Sequence, residues 1–524
     1  MTGQLLLRSK PFCVSFLCAT VVLFSGFASA QDGRGKSSDD WLIQNDKPKQ
    51  EKLPQGIGGG EQRDLIPSVP GSPRPGTERK KPPSPDYLMA KVVWGASITI
   101  GEEVIQDWNL APNDNMYFHK ELARPNGFMY LETRIALDHF SYDPKLMPAL
   151  LLSGVREVKF SPQIINRLRN YVLDGGMIVC DSVYGSPWFY ETALKVFGEM
   201  FPQSKFRELP ADHPLYHMTH EIENVTYQCG SDSDKPFLEG LYIGSRIGVL
   251  VCKYGVGCGW SNKMDVFAKL QERGLAPKAY SQQSAKQIGE NLVPYIVGYS
   301  RVGEVEGKAE LYNMVDQKKP TAEFVFAQVK HGGAWNAHPG AARQFLAELE
   351  KDSSIPVNFK RISVDLERDD ISPYPFLYFT GLDDFRLTNK QIEELREHIK
   401  NDGILVINNA LGLATFHQAA LRELGRVFPG GQFKRLPPNH EIFSSLYKID
   451  RVGYTPTLAK DKGAELGGLP VLFGLEIDGA IRVIYSQYDL EGGWNEIRYP
   501  LSRGYMPESA KKLGANIIMY VMTN

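Results

Sequence analysis

The chain has 524 residues, of which 42% are hydrophobic and 23% charged, so it is long enough for two domains and apolar enough to bury their cores. Lys and Arg number 59 against 61 Asp and Glu, and the net charge of −2 excludes the broad positive field of a general nucleic-acid binder. We therefore predict no nucleic-acid partner.

The N-terminus has the pattern of a secretory signal peptide. Arg8 and Lys10 precede 21 uncharged residues, 11–31, which include the small residues Ala28-Ser29-Ala30 that signal peptidase recognises. We predict a signal peptide over 1–30 with cleavage after Ala30, a periplasmic or secreted location, and no transmembrane span after cleavage. The alternative is an uncleaved N-terminal membrane anchor, because 21 residues suffice to cross a bilayer.

Residues 31–86 have the composition of a linker. They contain 9 Pro and 8 Gly in 56 residues, with acidic and basic side chains interleaved and almost no aromatic residue. Such a segment cannot bury enough apolar surface to offset the entropy of ordering its backbone. We predict a disordered, flexible or partly extended linker over 31–86.

Residues 87–310 alternate strand-like and helix-like patterns and form the first predicted domain. Ser161 followed by Pro162 is typical of a helix start, and the helix that follows places three apolar residues on one face before Gly175-Gly176 ends it. Gly244-Ser245 marks a hairpin turn, and a terminal helix is predicted over 284–297.

Residues 311–524 repeat this design as the second predicted domain. Apolar runs over 324–329, 375–379 and 404–407 have strand length, and Thr388 with Gln391 forms a capping box for the helix between the last two. Asp478-Gly479 predicts a hairpin, and a helix is predicted over 509–522. Strands joined through helices are parallel and covered on both faces. The expected fold class is therefore α/β, with two tandem doubly wound, mostly parallel sheets of flavodoxin-like type.

The two predicted domains are copies of one another. Shifted by 227 positions, residues 148–225 align without a gap on 375–452 and are identical at 21 of 78 positions, where chance gives roughly five. The same shift aligns Trp108 with Trp335 and Arg134 with Arg361, and a change of register then aligns Trp260 with Trp494. We interpret the chain as a tandem duplication.

Four cysteines remain after the predicted cleavage. One or two disulfides among Cys229, Cys252 and Cys258 are compatible with an oxidising compartment, although their spacing assigns no pairing. The chain has no C-x-x-C pair, so we predict no metal site. Cys180 ends an apolar strand pattern, but Ile178 near it does not suit the sharp turn of a nucleophile elbow, and we interpret Cys180 as a buried structural thiol.

In a doubly wound sheet, ligands bind at the carboxyl ends of the strands, so residues that follow the apolar runs are site candidates. Asp181 follows such a run, and Asp212-His213-Pro214 can hold an imidazole as a base; these three residues, Asp181, Asp212 and His213, are the candidate acid–base groups. The alternative is structural, with Asp212 capping a short helix and His213 bonded to a buried polar group.

Aromatic and histidine residues are the candidate binding groups. The loop over 183–190 is rich in rings that could stack on a sugar or peptide or pin the loop to the core, and the Gly332-Gly333 loop between His331 and His338 suits close approach of a ligand. No nucleotide-binding, zinc-protease or calcium-loop motif occurs, so no cofactor is predicted. The candidate binding residues are Trp108, Trp188, Trp260, Trp335, His440 and Trp494.

Several segments of the second copy resemble a known family. These are Leu436-Pro437-Pro438-Asn439-His440, the Gly332–Trp335 loop, the run 375–381 and the ending 513–523. They are similar to an uncharacterised bacterial family, domain of unknown function forty-one fifty-nine, within the class I glutamine-amidotransferase-like fold. The resemblance implies this fold and an envelope-associated setting, and it implies no established activity.

Two functions fit the sequence, and it leaves open whether the protein is an enzyme. Because the polar residues of the two copies diverge at both expected sites, we favour an exported, non-catalytic binding or scaffolding protein of the cell envelope. Its expected partner is an envelope protein or a carbohydrate. The alternative is a hydrolase or carbohydrate-processing enzyme with its site in the first copy.

Overall fold

Two seven-stranded sheets, one in each repeat, organise the computed structural model of the chain. The structure describes residues 37–42, 85–100, 102–230, 233–261, 266–312, 324–353 and 361–523. The predicted signal peptide and most of the predicted linker lie outside these residues. Both sheets belong to one unit of the chain, Ser38–Asn524.

The first sheet is mostly parallel. Its strand order is β2-β1-β3-β4-β7-β6-β5, in which the first five are parallel and β6 and β5 are antiparallel to their neighbours. The strands are β1 (Met89–Val93), β2 (Thr133–Ala136), β3 (Ala149–Gly154), β4 (Met177–Ser182), β5 (Phe206–Glu208), β6 (Leu238–Ile243) and β7 (Arg246–Cys252).

The second sheet has the same topology. Its order is β9-β8-β10-β11-β14-β13-β12, again with five parallel strands followed by two antiparallel pairings, β14 with β13 and β13 with β12. This confirms the predicted fold class and the predicted duplication. The strands are β8 (Ala327–Val329), β9 (Ile362–Val364), β10 (Phe376–Gly381), β11 (Ile404–Asn409), β12 (Lys434–Arg435), β13 (Phe473–Ile477) and β14 (Ala480–Ser486).

Helices cover both faces of each sheet. Successive residues of a strand point to opposite faces, so Leu150 and Leu152 of β3 pack in one core cluster while Ala149 and Leu151 pack in another. The long helices are α1 (Pro162–Leu173), α2 (Pro187–Met200), α3 (Val266–Glu272), α4 (Gln282–Tyr312), α5 (Ala341–Asp352), α6 (Asn389–Lys400), α7 (Ala414–Val427), α8 (Pro456–Leu466) and α9 (Pro507–Thr523).

Shorter elements complete the connections. One-turn α-helices span Asp114–Tyr117, Gly257–Trp260 and Glu491–Trp494, and a π-helix spans Phe118–Ala123. Two small antiparallel ribbons pair Ile98–Ile100 with Glu103–Ile105 and Tyr227–Gln228 with Ala279–Tyr280.

The predicted helix caps form as their side-chain chemistry requires. The Ser161 hydroxyl accepts from the Ile164 N–H at 3.4 Å, and Thr388 and Gln391 form the reciprocal bonds of a capping box. Asp478 and Gly479 both have positive φ, as the predicted two-residue hairpin turn requires. Helix α4 continues to Tyr312, past the predicted domain boundary at residue 310.

The repeats also share internal hydrogen bonds. Trp260 Nε1 donates to the Ala285 carbonyl at 2.8 Å, and Trp494 Nε1 donates to the Ala510 carbonyl at 3.1 Å. The side chain of Asn291 bonds three backbone groups of residues 219–220, and Asn516 bonds the matching groups of residues 446–447. The duplication therefore extends to buried polar contacts.

The first repeat covers the carboxyl end of the second sheet. Residues from the loops after β10 and β11 belong to the same core cluster as side chains of β7 and α4, and the Tyr299 hydroxyl of α4 donates to the Pro500 carbonyl at 3.0 Å. The two repeats therefore share a core. The loop residues in that cluster include Leu382, Ala410, Leu411 and Leu413.

A short N-terminal segment covers the carboxyl end of the first sheet. Ser38–Trp41 form a 3-10 helix, and Trp41 and Leu42 are buried against a cluster that includes Val155 and Val183. This segment lies inside the range for which the sequence predicts a linker. Its two adjacent apolar side chains can bury surface that the average composition of 31–86 conceals.

The four described cysteines are unpaired. Cys180, Cys252 and Cys258 are buried, whereas Cys229 is exposed. Cys252 and Cys258 lie in different core clusters, so no disulfide joins the candidates among Cys229, Cys252 and Cys258. Within the described ranges, no helix has both the length and the apolar character needed to cross a bilayer.

Candidate functional site

A cleft lies between the two repeats. Its volume is about 660 Å³. One wall is the β5 edge of the first sheet with the end of β6, and the other is the loop that follows β8 together with the start of β9. The lining residues are Gln203, Ser204, Lys205, Phe206, Arg207, Tyr242, Gly244, Lys330, His331, Gly332, Ala334, Trp335, Asn336, Arg361 and Ser363.

Four basic side chains line this cleft, and none of the described lining residues is Asp or Glu. Lys205 and Lys330 are exposed, whereas Arg207 and Arg361 are partly buried. Arg207 Nη1 lies 3.5 Å from Asp383 Oδ2 of the other repeat. The lining of the cleft therefore has an excess of basic over acidic side chains, although the whole chain is nearly neutral.

Trp335 and Arg361 are the best-ordered pair in the cleft. The Arg361 guanidinium lies over the Trp335 ring, 5.5 Å from its centroid, and Nη1 donates to Gln328 Oε1 and Asn336 Oδ1 at 2.8 Å each. The first repeat contains the same pair, with Arg134 5.6 Å from the Trp108 ring. The pair therefore belongs to the common fold.

His331 lies at the cleft but cannot serve as a base near neutral pH. Burial lowers its pKa to about 3. Its Nε2 lies 2.7 Å from the Thr380 carbonyl, its Nδ1 accepts from the Gly333 N–H at 3.0 Å, and its ring stacks on Phe379. His331 thus shapes the loop through which Trp335 reaches the cleft.

A buried polar chain links the repeats beside the cleft. Glu306 of α4 accepts from the Ser245 N–H at 2.7 Å and contacts His338 Nδ1 at 3.1 Å, while His338 Nε2 contacts Asp489 at 3.0 Å. Asp489 in turn accepts from Asn408 Nδ2 at 3.1 Å.

The charge on His338 is fixed by its two carboxylate partners. Burial by itself would lower the pKa of His338, but Asp489 and Glu306 hold it well above its usual range. Because each ring nitrogen already contacts a carboxylate, neither can take a proton from a nucleophile. The chain is therefore a buried ion-pair network and lacks the arrangement of a reactive triad.

Asp181 lies in a buried cluster at the carboxyl end of the first sheet. Its carboxylate accepts from the Val256 N–H at 2.7 Å and the Gly257 N–H at 3.2 Å, and burial raises its pKa to about 7. Lys91 Nζ lies nearby and bonds Asp114 at 2.6 Å. The cluster is closed to solvent, because Lys91, Asp114 and Asp181 are all fully buried.

The second repeat shows what Asp181 does. Its duplicate, Asn408, accepts from the Leu490 N–H at 2.9 Å through Oδ1, which is the bond that Asp181 makes to Val256. An amide that makes the same bond cannot act as a general acid or base. We therefore assign Asp181 the anchoring of the loop after β7.

His213 and His440 are helix caps. His213 is 2% exposed, its Nδ1 accepts from the Leu215 N–H at 3.1 Å, and burial lowers its pKa to about 3. His440 Nδ1 accepts from the Ile442 N–H at 3.2 Å. The cap of each short helix is thus the histidine, and it is not Asp212 or Asn439 as the structural reading of the sequence pattern suggested.

Asp212 joins the two repeats. Its carboxylate accepts from the Thr415 N–H at 2.9 Å and from the Thr415 hydroxyl at 2.6 Å, at the N-terminus of α7. The negative charge also suits the positive end of the helix dipole. Asp181, Asp212 and His213 therefore lie in three different settings, and none of them lines the cleft.

Only one of the predicted tryptophans lines the cleft. Trp260 and Trp494 are core residues, 1% and 2% exposed, and Trp108 is buried under Arg134. Trp188 is half-buried and packs against the core cluster that includes Trp41, which agrees with the interpretation that its loop is pinned to the core. Trp335 is the exception, because it forms part of the cleft wall.

Sequence reasoning did not single out Lys205, Arg207 or Lys330. They come from different repeats and match no motif, so only the docking of the repeats brings them together. Arg361 appeared in the sequence only as the duplicate of Arg134. Among the residues that the structure describes, no group of three or more His, Cys, Asp or Glu side chains is placed to hold a metal ion.

Comparison with protein families agrees with the topology. The family described as Domain of unknown function (DUF4159) matches the chain twice, at residues 102–297 and 325–522, and together the matches cover more than half of it. The chain belongs to this family. Each DUF4159 match contains most of one seven-stranded sheet, which confirms the predicted resemblance and the tandem duplication. No protein of curated function was found to be similar to it in sequence.

Proposed function

We propose that this chain is an exported, non-catalytic binding protein of the cell envelope that holds its ligand in the cleft between its two DUF4159 repeats. The observation that carries the proposal is a cleft of about 660 Å³ whose walls come from both repeats. That volume lies within the range of about 300–1,000 Å³ typical of small-molecule sites. Export rests on the signal pattern that ends at Ala30.

The state of the titratable groups supports binding without catalysis. At the cleft, His331 is neutral and bonded through both ring nitrogens, and Lys and Arg side chains are cationic near neutral pH. Catalysis by proton transfer needs a group within reach of the substrate whose pKa lies near the working pH. Asp181, which has such a pKa, is fully buried.

Turnover and binding can be measured on the same preparation. We expect the full exported chain to hydrolyse no ester, amide or glycoside of a substrate panel faster than the Trp335→Ala variant does. We expect at least one small molecule of that panel to raise the melting temperature of the wild type and to lose this effect in Trp335→Ala. Turnover that disappears in the variant would contradict the proposal, and so would the absence of any stabilising compound.

A further inference from the structure

We propose that the ligand of the inter-repeat cleft is a small organic oxyanion, a carboxylate or a phosphate on a compact body, held by Lys205, Lys330 and Arg361. This inference rests on the proposed function and specifies the ligand class of that same site. It begins from the four basic side chains of the lining and from the lack of an acidic one among the described lining residues.

The position of Arg361 favours recognition of a planar or tetrahedral oxyanion. Two of its hydrogen-bond acceptors, Gln328 and Asn336, are neutral amides that orient the guanidinium. Glu491 lies within electrostatic reach of Arg361, but burial raises the pKa of Glu491 to about 7, so it offsets only part of that charge near neutral pH. The guanidinium therefore adds a fixed positive charge to the wall of the cleft, which favours carboxylate and phosphate groups.

Lys205 and Lys330 are the solvent-exposed cations of the site. Lys205 precedes β5 of the first repeat, Lys330 follows β8 of the second, and both are exposed. Their ammonium groups can approach an anion from opposite walls of the cleft. Because both ammonium groups are exposed to solvent, their attraction for an anion weakens as salt is added.

The two lysines are not a requirement of the fold. Sheet pairing aligns Gln328 with Tyr378 in the second repeat and Lys91 with Leu151 in the first, so Lys330 corresponds to Val93. Lys205 corresponds to Gln432 in the alignment of the copies. Because the same topology forms without either lysine, their convergence at the cleft calls for a functional explanation.

The size and walls of the cleft limit the body of the ligand. A volume of about 660 Å³ suits a small molecule, and Phe206, Tyr242 and Trp335 provide apolar surface beside the cations. A ligand with one or two oxyanions on a sugar-sized body matches both features. Carboxylate and phosphate share this chemistry and are separated by the experiment.

Calorimetric titration with matched pairs tests the ligand class. The carboxylate pair is glucuronate against glucose, and the phosphate pair is glycerol phosphate against glycerol. In at least one pair we expect the anion to bind about tenfold or more tighter than its neutral partner, and its affinity to fall as salt rises. Which pair responds tells carboxylate from phosphate.

Charge-reversal variants test whether the anion binds in the cleft. We expect Lys205→Glu with Lys330→Glu to weaken anion binding by about tenfold or more, and Lys330→Arg to retain it. The control is Lys195→Glu with Lys460→Glu, which makes the same charge change at exposed positions outside the cleft. Melting temperatures verify that each variant is folded.

Three outcomes overturn the inference. If a neutral compound binds as tightly as its anion and depends on Trp335, the proposed function stands and the ligand class fails. If the anion binds equally well to the cleft and control variants, the site is elsewhere. If neither pair binds and no panel compound stabilises the protein, both proposals fail.

Discussion

Asp181 shows that a buried carboxyl at the carboxyl end of a parallel strand, where ligands often bind, can be structural. It is fully buried, it accepts two backbone N–H groups, and Asn408 makes the equivalent bond in the second repeat. Burial raises its pKa because the two backbone hydrogen bonds only partly replace the hydration that the carboxylate loses. A perturbed pKa is thus no sufficient sign of catalysis here.

The buried carboxyl of Asp181 should make stability depend on pH. Its pKa is about 7 in the folded chain and 3.8 as the ordinary value, so the folded state binds more protons between these limits. The contribution of Asp181 to the free energy of unfolding should therefore rise by a few kcal/mol as pH falls from about 8 to about 4, whereas the buried neutral His213 and His331 act in the opposite direction. Urea titrations across that range should show this contribution as the difference in pH dependence between wild type and Asp181→Asn.

The converse substitution is the matched control for Asp181. Asn408→Asp places a new carboxyl beside Asp489, so it should lower the free energy of unfolding at pH 7 and steepen its dependence on pH. If Asp181→Asn leaves the pH dependence of wild type unchanged, the assignment of Asp181 is incorrect.

His338 should be among the most sensitive single positions of the chain. Replacing it by Gln leaves Glu306 and Asp489 buried without their cation, and loss of one partner of a buried ion pair costs about 3–5 kcal/mol. Urea unfolding at pH 7 measures this loss. The exposed His139→Gln provides the control and should change stability by less than about 0.5 kcal/mol.

A double variant tests whether Glu306 and His338 interact. Glu306→Gln combined with His338→Gln removes one buried charge together with the cation, so the double variant should be more stable than the sum of the two single losses predicts. Strict additivity would mean that these groups do not interact as described.

At the scale of the elements, two of the polar contacts that join the repeats come from the ends of helices and strands. Asp212 of the first repeat bonds the N-terminus of α7 in the second, and Arg207 of β5 pairs with Asp383 in the loop after β10. The equivalent residue of the second repeat, Asn439, is exposed. Duplicated elements have thus taken on different tasks in the two copies.

Asp212→Ala should weaken the docking of the repeats. Loss of an N-terminal cap costs about 1 kcal/mol, and we expect a decrease of that size in the free energy of unfolding at pH 7. Asn439→Ala is the matched control because it is the duplicate position. Equal losses in the two variants would show that Asp212 has no special role between the repeats.

The elements were largely predictable from the sequence because their signals are local. Thr388, Ser161 and the Asp478-Gly479 turn act within a few residues, and the repeat reinforced each assignment. The cleft was not predictable, because Lys205 and Lys330 are distant in sequence and meet only after the repeats dock. The packing of Trp41 was hidden for a similar reason, since the residues of its cluster other than Leu42, from Ile105 to Ala279, are distant from it in sequence.

At the scale of the whole molecule, the two repeats form one body with a shared core. The loops at the carboxyl end of the second sheet pack against β7 and α4, so the usual ligand crevice of that sheet is occupied by the first repeat. The first sheet has its own crevice covered by Trp41 and Leu42. The candidate binding cleft lies instead where the two repeats face each other.

Hydrogen–deuterium exchange tests this account most directly. The ligand is glucuronate or glycerol phosphate, whichever binds the wild-type chain more tightly. Binding in the cleft predicts slower exchange in residues 203–207 of the first repeat and in 330–336 of the second, with both changes lost in the Lys205→Glu, Lys330→Glu variant. Protection confined to one repeat, or centred on the loops around Asp181, would contradict the claim that the cleft between the repeats is the binding site.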